Sequence, residues 1–207
     1  GPSQDGSFKK PSRTRGRTFI ICQTTWGGVM SRYADDSREM RLDPDSFAGG
    51  YFKHAVYNHW DPWEDIPEAD LETDRERLVA DEPTAEEFDE FRQLLAQFGA
   101  GEEAVTEDLA PMSIALDDIG DQMFVASQIY EEVKHAAFFD RYWRNVVNPA
   151  AEELGFEVHP PTAGHYFNDD YVHVFDETDR HMERLLTDDS PEQMARASPT
   201  TTSSSRA

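Results

Sequence analysis

The sequence predicts an all-α fold of the helix-bundle type, and three observations carry that prediction. Two long stretches space their apolar residues alternately by three and four, the period of an amphipathic helix. A capping box opens the first stretch, with Thr84 as N-cap behind Pro83 and Glu87 three residues on. Local breakers, Gly120-Asp121 and Asn148-Pro149, bound the second.

Taken in order, residues 1–29 differ from the rest. They hold Lys9, Lys10, Arg13, Arg15 and Arg17 against a single acid, Asp5, and read as a disordered basic leader with a natural start at Met30. Residues 30–83 read as an N-terminal arm, helical in part, containing Tyr51-Phe-Lys-His-Ala-Val-Tyr57 and the Pro- and Trp-rich Trp60-Asp-Pro-Trp-Glu-Asp65. The bundle then spans 84–197. Its first helix places Phe88, Phe91, Leu95, Phe98, Val105, Leu109 and Met112 in phase, and Glu102 fills the gap between Phe98 and Val105 on the same face. The second helix runs from Gly120-Asp121 to about Val147, with Phe124, Gln128, Glu132, His135, Phe139 and Tyr142 on one face. A third covers Asp169 to Leu186, and Ser190-Pro191-Glu192 starts a fourth, with proline in the first turn. The polar run of residues 198–207 reads as a disordered tail.

Composition narrows the function. The 207 residues include 42 acidic and 19 basic side chains, a formal net charge of −23. Such a surface repels a phosphate backbone or an anionic bilayer, which excludes nucleic-acid and membrane-surface binding. Scarce lysine beside this acid excess matches proteins adapted to high salt, with an acidic mesophilic protein as the alternative. A single cysteine, Cys22, leaves no intrachain disulfide and no thiolate metal site. No apolar run approaches the roughly 18 residues of a membrane span, and Phe19-Ile-Ile-Cys22 is too short for a secretion signal, so a cytoplasmic location is expected.

The chemistry-bearing pattern is Glu132-Val-Lys-His135 with Glu102. Residues three apart on a helix lie on one face, about 5–6 Å apart at Cβ, so Glu132 and His135 can address one ion. Carboxylate with imidazole suits iron or manganese. Bundles that hold two such ions use a Glu-x-x-His unit on each of two helices and a single Glu on each of two others. Glu102, Glu132 and His135 supply half of that set, on faces that the aromatics mark as interior. Uncompensated charge there is costly unless paired or coordinated. A buried hydrogen-bonded Glu–His pair is the structural alternative. The remaining histidines, His54, His59, His159, His165, His173 and His181, read as surface or supporting residues, and the acidic run from Glu64 to Glu76 as a solvated face.

Gly101-Glu-Glu-Ala-Val105, with Glu131-Glu-Val-Lys-His135 about thirty residues later, resembles the ribonucleotide reductase small (beta) subunit superfamily, and more specifically its ligand-binding oxidase branch. The resemblance covers roughly residues 50–197. It implies a ferritin-like four-helix bundle holding a dinuclear Mn/Fe or Fe/Fe centre that activates oxygen. Glu102 matches the first carboxylate ligand, Glu132 the metal-bridging glutamate and His135 the histidine ligand. Val105 matches the valine that the oxidase branch cross-links to a tyrosine. Trp60-Asp-Pro-Trp-Glu64 is similar to the family's Trp-x-Pro-x-Glu segment, which makes Trp60 the tryptophan of long-range electron transfer. Phe139 stands four residues after the histidine, where radical-bearing subunits often have tyrosine. That fits a manganese–iron reductase subunit or the ligand-binding oxidase.

The resemblance also implies parts that this sequence does not display. The family's second half carries a tyrosine with a following glutamate, then another Glu-x-x-His. Ser190-Pro-Glu-Gln-Met-Ala-Arg-Ala197 resembles the run-up to those helices, and residues 198–207 do not continue it. A copy lacking the C-terminal half of the bundle is therefore expected. Two copies would restore the ligand count, so a homodimer is expected, with a reductase large subunit as a further partner if the chain acts as a beta subunit. A ferritin-like metal-binding dimer and a non-catalytic helical interaction module are the alternative functions.

Overall fold

In the computed structural model the described residues are 43–197, helical with no strand among them. The basic leader, Cys22, the first part of the arm and the polar tail all lie outside the described residues. Helix α1 is Phe47–Tyr57, α2 Glu68–Ala80, α3 Ala85–Ala115 and α4 Ile119–Tyr142. A π-helical turn, Trp143–Val147, leads into α5, Asn148–Leu154, and α6 is Asp169–Arg184 and α7 Pro191–Ala197.

Local chemistry sets these boundaries. Thr84 accepts from the Glu87 amide while the Glu87 carboxylate accepts from the Thr84 amide at 2.9 Å, so the capping box at the head of α3 is complete. Asp118 caps α4 two residues earlier than the Gly-Asp break suggested, its carboxylate accepting from the amides of Gly120 and Asp121. Asn168 caps α6 through the Tyr171 amide at 2.8 Å. Pro111 lies inside α3; having no N–H, it leaves the carbonyl one turn earlier without its helical donor.

One expected boundary differs. The chain does not leave the helical path at Asn148-Pro149 but continues to Leu154. The wide turn at Trp143–Val147 closes through the Asn148 amide onto the Trp143 carbonyl, and Pro149 then falls in the first turn of α5, where an amide donor is not required. Gly155 stops that helix at φ 75°, a left-handed conformation that glycine adopts without a Cβ clash.

Helices α3 and α4 form an antiparallel hairpin joined at 116–118, and α1 packs along α4. The main core fills the end of the hairpin away from that joint. There Phe88, Ala96, Trp143, Val147, Ala150, Ala151 and Tyr166 are buried together, and the Trp143 indole N–H donates to the His159 carbonyl at 3.0 Å. A second cluster, Met182, Leu185 and Ala197 with Met112 and Met194, fastens α6 and α7 to the far end of α3. Between these clusters the hairpin holds its polar residues at fixed positions. No helix among the described residues is long and apolar enough to cross a membrane.

Candidate metal centre

Glu102 lies in the middle of α3, and Glu132 and His135 lie one turn apart on α4. The hairpin brings them together. His135 Nδ1 is 3.3 Å from Glu132 Oε2 and 3.5 Å from Glu102 Oε2. One ligating atom from each residue falls in a set whose members are all within 4.8 Å of one another. The side chains of Glu102 and Glu132 are 21% and 19% exposed and that of His135 is 41% exposed, so the group is sunk in the hairpin but open on one side.

Electrostatics there are strained in the direction a cation would relieve. Burial, a hydrogen bond to Glu132 and the negative charge of Glu132 together push the Glu102 carboxyl up to about 7, against an opposing pull from His135. Two carboxylates so close cannot both ionise freely. Either a proton sits between them or a cation does.

The surroundings hold these residues in place. Trp60 stacks on the His135 ring, with centroids 5.9 Å apart and planes at 24°, and meets Phe138 edge-on. The loop carrying Trp60 is tied down from both sides. The Arg141 guanidinium of α4 donates to the carbonyls of Pro62 at 2.6 Å, Ile66 at 2.7 Å and Trp63 at 3.2 Å. Asp61 accepts from the amides of Trp63 and Glu64, which hold its carboxyl below the usual range. Phe139 stacks on Phe98 at 6.2 Å, closing the hairpin one turn from the group. Gly99 faces Phe139 at 3.3 Å from where a Cβ would stand, which leaves little room for a larger residue there. Val105 follows Glu102 by three residues on α3 and is partly buried.

Two supporting features escaped the sequence reading. Lys134 is 4% exposed, pairs with Glu131 at 2.8 Å, and lies over both the Trp60 and Tyr130 rings at 5.2 and 5.0 Å. The Glu131–Lys134 spacing of three was a visible signal of that pair. On the α1 side, Tyr51, His54 and Asn58 line a cavity of about 210 Å³ with Gln128, Glu131, Glu132 and His135. That contribution was not legible, because it depends on how α1 docks. The acidic run is solvated as expected, with Glu64, Asp65, Glu68, Asp70, Glu72 and Glu76 exposed.

Phe98, expected to be interior, is 55% exposed, as is Leu94 at 54%. The stripe of α3 that carries Glu102 thus faces outward along part of its length, because α4 covers only one flank of it.

No family model matches the chain. Solved structures do. A tyrosine-to-phenylalanine variant of an R2-like ligand-binding oxidase with an aerobically reconstituted Mn/Fe cofactor is 30% identical at a TM-score of 0.62, covering 75% of this chain and 53% of its own. The R2-like ligand-binding oxidase of Sulfolobus acidocaldarius is 25% identical at 0.62 with the same coverage. A glycine-to-leucine variant of an R2-like ligand-binding oxidase with an aerobically reconstituted Fe/Fe cofactor is 30% identical at 0.60, over 75% and 51% of the two chains. This chain spans about half the length of the solved structures it matches. In this ferritin-like helical arrangement the chain is similar, over 75% of its length, to R2-like ligand-binding oxidases of the ribonucleotide reductase small-subunit superfamily.

Proposed function

We propose that Glu102, Glu132 and His135 bind manganese or iron as half of a dinuclear carboxylate centre, and that the chain serves an oxygen-activating oxidoreductase of the ligand-binding oxidase type. The observation that carries this reading is the convergence of two carboxylates and an imidazole within 4.8 Å at a point where burial and mutual repulsion push Glu102 up to about 7. The donor set fits the metals. Hard carboxylate oxygen with imidazole nitrogen suits Mn(II) and Fe(II), and no softer ligand is present in the group. Neighbouring structures with Mn/Fe and Fe/Fe cofactors support the same choice.

When bound, such a centre supplies the electrons and open coordination positions that dioxygen reduction needs. The protein's own residues do the rest. Glu102 would give up its proton on binding, and its carboxylate with that of Glu132 would carry the charge that balances the cation. His135 presents one ring nitrogen, and Trp60 fixes the plane of that ring by stacking. Trp60 also offers an aromatic path for an electron between the imidazole and the Arg141-clamped loop. Phe139 puts no phenol at the position four residues after His135, which disfavours a stable tyrosyl radical there. Val105 stands one turn from Glu102 on the same stripe and corresponds, by the resemblance, to the valine that the oxidase branch cross-links to a tyrosine.

Anaerobic titration of the chelator-stripped protein with Mn(II) or Fe(II), followed by calorimetry and elemental analysis, tests the binding. Wild type is expected to take up one ion per chain, and Glu132→Ala and His135→Ala to lose it with their helical content intact. Uptake that is unchanged in both variants, or no uptake by wild type, would sink the reading.

A further inference from the structure

Lys134 is a buried charge outside the proposed ligand set. It is 4% exposed, and its ammonium has three N–H donors to place. One carboxylate is in reach, that of Glu131 at 2.8 Å. Beyond it lie the ring faces of Trp60 at 5.2 Å and Tyr130 at 5.0 Å. Taking an ion pair out of water commonly costs more than the attraction returns, and an apolar pair of similar volume serves a fold as well or better. Stability alone therefore does not account for a lysine at this place.

What the ammonium reaches is the ring that covers His135. Trp60 stacks on that imidazole, with centroids 5.9 Å apart and planes at 24°. An electron-rich indole thus stands directly beside the proposed oxygen-activating centre, where it is open to oxidation. From this geometry we infer that Lys134 raises the cost of oxidising Trp60, so that the indole can lie against His135 without becoming the end point of oxidation. The inference rests on the oxygen-activating role proposed above. Lys134 acts through Trp60 and is a positioning residue.

Two effects act in the same direction. The ammonium is attracted to the face of the neutral ring, which stabilises the reduced indole. Loss of one electron makes the ring a cation, and the attraction turns into repulsion at the same distance. Burial of Lys134 keeps solvent from screening that repulsion. Glu131 pulls the other way. Its carboxylate would stabilise an oxidised ring, and Lys134 masks it from 2.8 Å. Removing the charge at 134 and removing the charge at 131 therefore move Trp60 in opposite directions, whereas a packing role would give both substitutions the same sign. Trp63, three residues on and 60% exposed, supplies an internal reference.

Oxidation of the metal-free full chain by hexachloroiridate(IV) tests the inference. This one-electron oxidant is an anion and does not accumulate on so acidic a chain. At each oxidised indole two Ir(IV) complexes take one electron each, water supplies an oxygen atom and two protons leave, giving hydroxytryptophan and two Ir(III). Peptide mapping with fragment-level assignment reads the ratio of oxidised Trp60 to oxidised Trp63. Lys134→Met is expected to raise that ratio about tenfold or more, and Lys134→Arg to hold it within about twofold of wild type. Glu131→Gln is expected to lower it. A ratio unmoved by Lys134→Met overturns the inference. So does a rise shared by Lys134→Arg or by Glu131→Gln, because loosened packing would expose the ring in each. No metal is present, so this measurement is separate from the Mn(II) titration above. Absence of Mn(II) uptake there, with this ratio shifting as expected, overturns the metal reading and leaves the effect of Lys134 on Trp60 standing.

Discussion

Asp108 of α3 is 7% exposed and meets Asp179 of α6 across the helix interface. Burial first, then the hydrogen bond to Asp179 and the charges of Asp179 and Glu107, push its carboxyl from 3.8 up to about 7. In the unfolded chain it regains its ordinary value. A carboxyl whose folded value is raised lowers stability as pH rises. Below about pH 4 it is protonated in both states and costs nothing. Between about 4 and 7 the unfolded state releases the proton first, and above about 7 the full cost applies. At roughly 1.4 kcal/mol per unit, a rise from 3.8 to about 7 sets an upper bound of about 4 kcal/mol at pH 8. Water reaching the interface reduces that to about 2 kcal/mol. Asp108→Asn replaces the shared proton with an amide donor to Asp179 and never ionises. Thermal melts of wild type and Asp108→Asn from pH 4 to 8, in chelator, read the difference. The variant is expected to gain about 2 kcal/mol at pH 8, roughly 4–8 °C for a fold of this size, and almost nothing at pH 4. Equal gains at both ends, or a loss at pH 8, would refute the shared-proton account.

Further outcomes follow from the supports of the site. Arg141→Ala removes the one nitrogen, Nη1, that donates to three carbonyls of the Trp60 loop, so hydrogen exchange across residues 60–66 should accelerate by at least tenfold while that of α3 stays unchanged. Lys134→Ala leaves the half-buried Glu131 without its partner and should cost more in chemical denaturation than Glu131→Gln with Lys134→Met, which removes both charges. Thr84→Ala breaks the capping box and should destabilise by about 1 kcal/mol, read as a few degrees in melting temperature. Glu102 adds a second pH effect at the site itself. Its carboxyl, raised to about 7, holds a proton that must leave before a cation binds, so Mn(II) affinity should weaken as pH falls from 8 to 6, as a titration at each pH would show.

Much of this was readable from residue order because helices translate spacing into faces. In each acidic doublet, Glu102-Glu103 and Glu131-Glu132, phase with the surrounding apolar residues selected one member, and the fold brings Glu102 and Glu132 together while Glu103 is exposed. Thr84 and Glu87 marked the start of α3 because a capping box is local. What depends on docking was not legible. The stacking of Trp60 on His135 needs the Arg141 anchor, 75 to 79 residues from the carbonyls it holds. The passage through Pro149 depends on a wide turn that periodicity does not encode. The exposure of Phe98 could not be foreseen from its phase, since an apolar stripe declares which face wants cover and not what supplies it.

The central claim is that Glu102, Glu132 and His135 ligate one metal ion. Crystals grown with Mn(II) and measured at the manganese absorption edge test it most directly. An anomalous peak is expected in contact with a carboxylate oxygen of Glu102, one of Glu132 and a ring nitrogen of His135. Manganese at other carboxylates with none between these three, in crystals at pH 8, would contradict it.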